Sequence, residues 1–593
     1  MRPRSRSVLL WIALTAVTVA SLATAYGAYQ LAGYAWDEVV EYKSPYVERP
    51  AATPDTTTSV PWAAPALTGS YSTTAPVLAQ RVVLVIVDGM RDDVSRSEMS
   101  VLTRLRTYGA DITLTAPQPS LSYPNWTTIL SGAPQDISGV TTNWFEGRVA
   151  VPTLVDVAAQ SGRRVAVIGP EDFSTLYGIE KGPAVSLRPW PKGGYLSATL
   201  IDDALRIAKL TDPQLMVVHL PDLDEAGHEY GGDSKEYRDV AHKIGIDLAR
   251  LVDGMQRDDT AFIVVADHGH IATGGHGGWE PVVTTVPGVF AGAGIQLGVS
   301  TGRLEQVAPT IAVLSGTPVP AFASARSLRS AVATTALRPF RQDNSHHLAF
   351  ATHYIDSVTQ GVSTINSGQL AGKTPTEADA VMASAKDERL ATERNARVRN
   401  ALIALAAIVL AVALIGLASW RALVAALAGT LGYYVVYNLL FFSFHGFNWS
   451  LSAFNTETFV KAFMNGRMVE AIFSGLIGAA VAALVYPLLR RQPRGPRDPW
   501  YLSGWLALGP STILVVQATL AMQVAWYYWW YGINISWVLP DFKWAFKADL
   551  DMVQVTALGA AALLAPLVTY LVGRYHPKVA RVRAGDGVAG PKT

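Results

Sequence analysis

The sequence predicts an α/β domain, with a mostly parallel sheet flanked by helices, joined to an α-helical transmembrane region. Three observations carry this. Between residues 81 and 335, short apolar runs (82–87, 215–220, 261–266) alternate with helix-like segments (154–160, 200–209, 241–255), the alternation of a parallel sheet with crossover helices. Six stretches near 8–32, 401–419, 422–443, 469–489, 502–526 and 553–573 are apolar and long enough to span a bilayer, which takes roughly 20 helical residues. Finally, 593 residues with 50% hydrophobic against 16% charged side chains exceed one ordinary domain and leave a large apolar fraction for lipid.

Taken in order, residues 1–34 read as a signal-anchor helix. Arg2, Arg4 and Arg6 precede it, which keeps the N-terminus cytoplasmic and exports the chain from residue 33 onward. Ala23-Thr-Ala25 resembles a cleavage site, so a removed signal peptide competes with an anchor; the length of the apolar stretch favours the anchor, and the domain is exported either way. Residues 35–80 form a flexible linker, rich in Pro, Thr, Ser and Ala from 49 onward. The catalytic domain occupies 81–340. Beyond it come a helical connector at 341–400 whose charged end enters the second span, a five-span membrane domain at 401–575 and a cytoplasmic tail at 576–593.

The charge pattern sets the topology. Arg490, Arg491, Arg494 and Arg497 follow the fourth span, and Arg574, Lys578, Arg581 and Arg583 follow the sixth, placing both termini in the cytoplasm and the catalytic domain outside the cell membrane. Arg389, Arg394, Arg397 and Arg399 lean the other way, but they are interleaved with Asp387, Glu388 and Glu393 and end a long exported domain, where the rule is weak. No charged row or ion pair is read within the spans, which argues against transport. A net charge of +1 offers no nucleic-acid-binding surface, and the absence of cysteine removes disulfides, thiolate metal sites and a cysteine nucleophile.

The chemistry lies at the ends of the apolar runs. The first stops at Asp88-Gly89, the second leads to Asp224-Glu-Ala-Gly-His228, and the third stops at Asp267-His268, with His276 in the glycine-rich loop beyond. Between the first two lies Ser122-Tyr-Pro-Asn125. Singly these are ordinary: an Asp at a strand end caps or turns, and a lone His is usually structural. In this order, each after an apolar run, they form the inventory of a two-metal phosphoester site. Asp88, Asp267 and His268 suit a metal that ionises Ser122. Asp224, His228 and His276 suit a second that polarises the phosphoryl oxygen, giving a clamp about 4 Å across.

That ordered set resembles the alkaline phosphatase superfamily, most closely its nucleotide pyrophosphatase/phosphodiesterase branch. The resemblance implies an alkaline-phosphatase-like sheet, two divalent ions (zinc), Ser122 as nucleophile and Asn125 as an amide bonded to a phosphate oxygen. It assigns Asp88, Asp267 and His268 to one ion and Asp224, His228 and His276 to the other. Residues 306–320 resemble the closing helix of the superfamily. A sulfatase would require Cys/Ser-x-Pro-x-Arg, and Trp126 stands where the Arg would be; the branch often has His at that position. Trp144 and Phe145 line a substrate pocket or belong to the core, and His219, Asp222 and His270 fit no ligand position.

An exported phosphoester domain followed by several spans also resembles, in arrangement, the ethanolamine-phosphate transferases of glycolipid anchors. The leading expectation is a membrane-anchored phosphodiesterase acting through a serine phospho-enzyme. The alternative is transfer of a phospho-headgroup to a lipid or glycan, and a third is phospho-ligand binding without turnover. The implied partners are a phosphodiester or a phospholipid/glycan substrate and membrane lipid. The outer loop holding Trp526, Tyr527, Tyr528, Trp529, Trp530, Tyr531, Trp537 and Trp544 reads as an interfacial aromatic belt rather than a headgroup site. His445, Asn448, Glu457 and Lys461 read as solvated residues of the other outer loop.

Overall fold

A computed structural model describes residues 3–48, 76–190, 194–334, 338–359, 364–454, 459–489 and 501–576. Its sheet contains, among these, β1 (Arg81–Val87), β2 (Ala110–Thr115), β3 (Val165–Pro170), β4 (Val185–Arg188), β5 (Leu215–Leu220), β6 (Thr260–Val265), β7 (Thr285–Gly292) and β8 (Gly298–Arg303) in the order β4-β3-β5-β1-β6-β7-β2-β8. The three runs that end in acids, β5, β1 and β6, are adjacent, parallel and central. Their side chains are buried on both faces, which is why they read as continuous apolar runs rather than alternating ones. Parallel neighbours bring their carboxyl ends to one edge, so residues far apart in sequence meet there.

The sheet departs from parallel at β7, which is antiparallel to both β6 and β2. The connection from β6 is spent on the 266–280 loop and a single turn, Pro281–Thr284. With no long helix crossing back over the sheet, the chain returns in the opposite sense.

Among the described residues, six helices are long and apolar enough to cross a membrane: Pro3–Val40, Pro375–Ala418, Trp420–Asn438 with a π-helical turn Leu439–Phe444, Phe459–Val485 with the turn Tyr486–Leu489, Tyr501–Tyr531, and Phe542–Tyr575. Each is longer than its apolar stretch, because aromatic and charged turns continue the helix beyond it. Much of the expected linker (49–75), the arginines at 490–497, the tail beyond 576, Glu457 and Arg2 lie outside the described residues.

Two expectations are corrected. The aromatic stretch 526–531 is the last turns of the fifth helix, not a loop; it holds no breaker before Gly532, whose φ of +95° ends it. The membrane-length helices also hold ion pairs: Glu470 bonds Arg467 at 2.7 Å and His445 at 2.7 Å, and Lys547 pairs with Asp551. Arg467, Lys547 and Asp551 lie in helical turns preceding the apolar stretches at 469 and 553, and Glu470 in the first turn of the former, on faces turned into the protein, where each charge meets its partner.

The sheet domain caps one end of the helical bundle. Val39 O, near the end of the first helix, accepts a bond from the Thr141 hydroxyl, and Trp449 O, between the third and fourth, accepts from Trp279 Nε1 at 2.8 Å. The arginines that ran against the charge rule are committed here. Arg389 and Arg397 each pair with Glu393 at 2.7 Å, Arg394 lies 3.7 Å over the Trp530 ring, and Arg397 Nη1 donates to Trp529 O and Trp530 O at 3.2 Å. The last two bonds satisfy carbonyls that a helix end leaves open.

Candidate active site

Asp88 directly follows β1, and Asp267 and His268 follow β6 one residue beyond its end. Each carboxylate is fixed by one oxygen. Asp88 Oδ2 bonds His219 Nε2 at 2.9 Å; Asp267 Oδ1 accepts from Gly89 N at 3.1 Å and His268 N at 2.9 Å. The other oxygens, Asp88 Oδ1 and Asp267 Oδ2, are buried with no hydrogen-bond partner. Both residues are fully inaccessible, and burial together with the Asp267 and Asp224 carboxylates pushes Asp88 well above the usual carboxylate range. Two orphaned oxygens and an excess of buried negative charge, with His268 Nε2 3.4 and 3.5 Å away, are the donor set a divalent cation fits.

The helix Asp222–Tyr230 after β5 places Asp224 and His228 on one face. His228 Nε2 lies 3.4 Å from Asp224 Oδ2, and His276 Nε2 lies 3.2 Å from His228 Nε2 and 3.7 Å from Asp224 Oδ1. The Nδ1 of His276 is 3.1 Å from Ser120 O, so it carries the proton and turns the Nε2 lone pair toward His228. Lone pairs converging on a carboxylate are again a cation's geometry. Burial works against ionisation of Asp224, but His228, His270 and His276 hold it well below the ordinary carboxylate range. All eight residues singled out in the sequence lie in this region. The two ligand groups {Asp88, Asp267, His268} and {Asp224, His228, His276} each bring their donor atoms within 4.8 Å of one another.

Ser122 opens the helix Ser122–Ser131 with its Oγ 3.3 Å from His268 Nε2. A helix start directs backbone N–H groups and a partial positive charge toward whatever the serine meets. Asn125 is fully buried, does not line the cavity beside Ser122, and ties the helix down: its Nδ2 donates to Asp267 O at 2.8 Å and its Oδ1 accepts from Gln135 Nε2 at 2.9 Å. Asn143, which the sequence reading did not single out, does line that cavity; its Oδ1 accepts from Tyr123 N at 3.0 Å, leaving its NH2 group to donate. Trp144 lines the cavity too, whereas Phe145 packs against the core.

Two histidines set aside in the sequence support the ligands. His270 Nε2 bonds Asp224 Oδ1 at 2.8 Å, and His219, which burial brings down to about 3 and so keeps neutral, donates to Asp88. A signal for His219 was present: it is the one polar residue in the buried run 215–220, and a buried polar group needs a partner. Trp126 packs against it with ring centroids 4.6 Å apart and also meets Tyr123, Phe173 and Trp190. Trp126→Ala is expected to cost about 3–5 kcal/mol of stability, read from denaturant unfolding; a loss below about 1 kcal/mol would show that the ring does not anchor this layer.

The His276 loop is held from the membrane side. Ser120 N donates to Gly277 O at 3.2 Å, Gly278 N donates to Ser452 Oγ at 3.1 Å, and Glu280 Oε2 accepts from Ser450 Oγ at 2.9 Å and Ser452 Oγ at 2.8 Å. A Cβ on Gly275 would stand 1.9 Å from Ser452 O, so only glycine permits this approach. Glu280→Ala is expected to weaken metal retention about 10–100-fold while leaving all six ligand side chains in place; equilibrium dialysis checks this, and unchanged retention would separate the clamp from the site.

Comparison with known proteins fits this geometry. The family model described as type I phosphodiesterase / nucleotide pyrophosphatase matches residues 82–158 and 142–280. The sheet domain belongs to that family. The chain is also similar to proteins named GPI ethanolamine phosphate transferase 1: 26% identical over 268 residues in Yarrowia lipolytica, 30% over 277 in Emericella nidulans and 25% over 258 in Mus musculus. These matches cover 38%, 39% and 38% of this chain but only 28%, 30% and 27% of the relatives, less than a third of their length. Among solved structures, murine ectonucleotide pyrophosphatase/phosphodiesterase 5 aligns with a TM-score of 0.36 at 12% identity, covering 40% of this chain and 96% of that one. Alkaline phosphatase PafA aligns with a TM-score of 0.37 at 12% identity, covering 43% and 99%.

Proposed function

We propose that the protein is a metal-dependent phosphotransferase that moves a phospho-headgroup of the ethanolamine-phosphate type from a membrane phospholipid to an alcohol on a lipid or glycan. This reverses the order expected from sequence, where hydrolysis led. The names of the relatives support transfer, and one observation carries it: the cavity holding Ser122 has a second wall built from the membrane region, including Leu451, Phe454, Phe542 and Phe546. A diester dissolved in water needs no such wall; a lipid does.

Asp88, Asp267 and His268 would hold one divalent ion and Asp224, His228 and His276 the other, and zinc suits this nitrogen and oxygen set. Bound there, the ions supply charge that lowers the serine pKa and offsets the phosphoryl oxygens. Ser122 Oγ attacks phosphorus in line; the Oγ–P bond forms, the P–O bond to diacylglycerol breaks, and the proton given up by the Ser122 hydroxyl ends on the leaving alkoxide. Asn143 and the start of the Ser122 helix donate hydrogen bonds to the phosphoryl oxygens as their charge grows. The headgroup phosphate, now esterified to Ser122, passes to an acceptor hydroxyl as the Oγ–P bond breaks. We place the domain outside the cell membrane, with both chain termini inside, on the distribution of arginine and lysine.

The test supplies metal-loaded protein in detergent with a phospholipid labelled in its headgroup, with and without an acceptor alcohol. Label on the acceptor together with free diacylglycerol is expected. Release of soluble headgroup phosphate at one rate regardless of acceptor would establish the hydrolase instead.

A further inference from the structure

We propose that Asp549 selects the donor lipid by pairing with a positively charged amine on its headgroup, across the cavity from Ser122. This rests on the transferase reading and adds to it the residue that recognises the donor. The cavity, about 460 Å³, is lined on one side by Ser122, Asp224, His228 and His276 and on the other by Phe542, Ala545, Phe546 and Asp549 of the sixth long helix. Those four positions follow i, i+3, i+4, i+7 and so form one helical face. Three are apolar, and the fourth is a carboxylate.

That carboxylate has no hydrogen bond or ion pair among the described residues, though it is half-buried at the membrane end of the site. The lysines of its own helix are engaged elsewhere. Lys543 lies 4.4 Å over the Trp279 ring, and Lys547 pairs with Asp551. Of the other acids lining the cavity outside the ligand set, Asp172 accepts the Tyr123 hydroxyl and Glu225 is exposed. Asp549 is therefore the acid on the apolar wall that has no partner among the described residues, and a carboxylate there is ionised at low cost where a cation meets it. The chemistry of the remaining wall agrees: Trp36 and Trp144, with ring centroids 5.1 Å apart, line the same space, and aromatic rings attract ammonium groups. A phosphate held near Ser122 and an amine held by Asp549 would orient an amino-alcohol phosphate with its lipid ester facing the membrane helices.

The experiment is calorimetric titration of metal-loaded, full-length protein with phosphoethanolamine and with propyl phosphate, which replaces the ammonium by a methyl group. Wild type is expected to prefer phosphoethanolamine by about tenfold. In Asp549→Asn the preference should fall to near unity, while Asp549→Glu keeps most of it. Equal affinities in wild type overturn the proposal without any variant. An unchanged preference in Asp549→Asn, or equal weakening of both ligands at unchanged melting temperature and metal content, overturns it as well. Should wild type discriminate while no headgroup moves from lipid to acceptor, the transferase reading fails and the assignment of Asp549 stands.

Discussion

Ser122→Ala is expected to lower turnover of any phosphodiester by about 10⁴-fold or more, since it removes the atom that forms the covalent bond. Two measurements read this independently. Steady-state turnover falls to the level given by binding and charge stabilisation alone, and acid-quenched protein no longer carries a labelled headgroup on the peptide containing residue 122. The fold should be untouched, because Ser122 Oγ makes one long contact, 3.3 Å to His268, and the helix it opens is held by Asn125 and its own backbone. A variant retaining a tenth of wild-type turnover would mean that water or the acceptor attacks phosphorus directly, and Ser122 would lose its role.

Asp224→Asn is expected to have the next largest effect. Asp224 bonds His270 at 2.8 Å and lies 3.4 Å from His228, 3.7 Å from His276 and 3.9 Å from His268, so it sits where the two ligand groups meet. Replacing the carboxylate by an amide keeps the volume and removes the charge. Bound metal, measured by elemental mass spectrometry, should fall by about half and turnover by about 10²–10⁴-fold. Full metal content with near-normal turnover would remove Asp224 from the ligand set.

The central half of the fold was legible because β5, β1 and β6 are buried on both faces, which writes them as unbroken apolar runs, and because an acid follows the end of each run at once or after one residue: Asp88, Asp222 and Asp267. What escaped the sequence lies where partners are distant. Asn143 is an ordinary loop amide until the cavity forms around it. Glu280 resembles any acid before a proline, since the serines it binds come 170 and 172 residues later. The direction of β7 was hidden for a related reason: its sense depends on a connection occupied by the glycine-rich loop that carries His276. Hydropathy marked the middles of the membrane helices and not their ends, because Lys547 and Arg467 belong to helical turns whose charges are answered only in three dimensions. Asp549 was hidden likewise, as one more acid ahead of an apolar stretch.

The clamp between Glu280 and the loop at 450–452 bears on how such a chain can diverge. His276 reaches its place through a strip of backbone that one wall of the membrane region presses into shape. A swap of the membrane helices for those of a relative would therefore alter the footing of His276 without changing any of the six candidate ligands, and a fragment ending at residue 340 would keep all six while losing the support of one. Inheritance of the two halves is then coupled: a substitution in the short loop after the third helix restricts what the glycine-rich loop can tolerate, and descendants should change both together or neither.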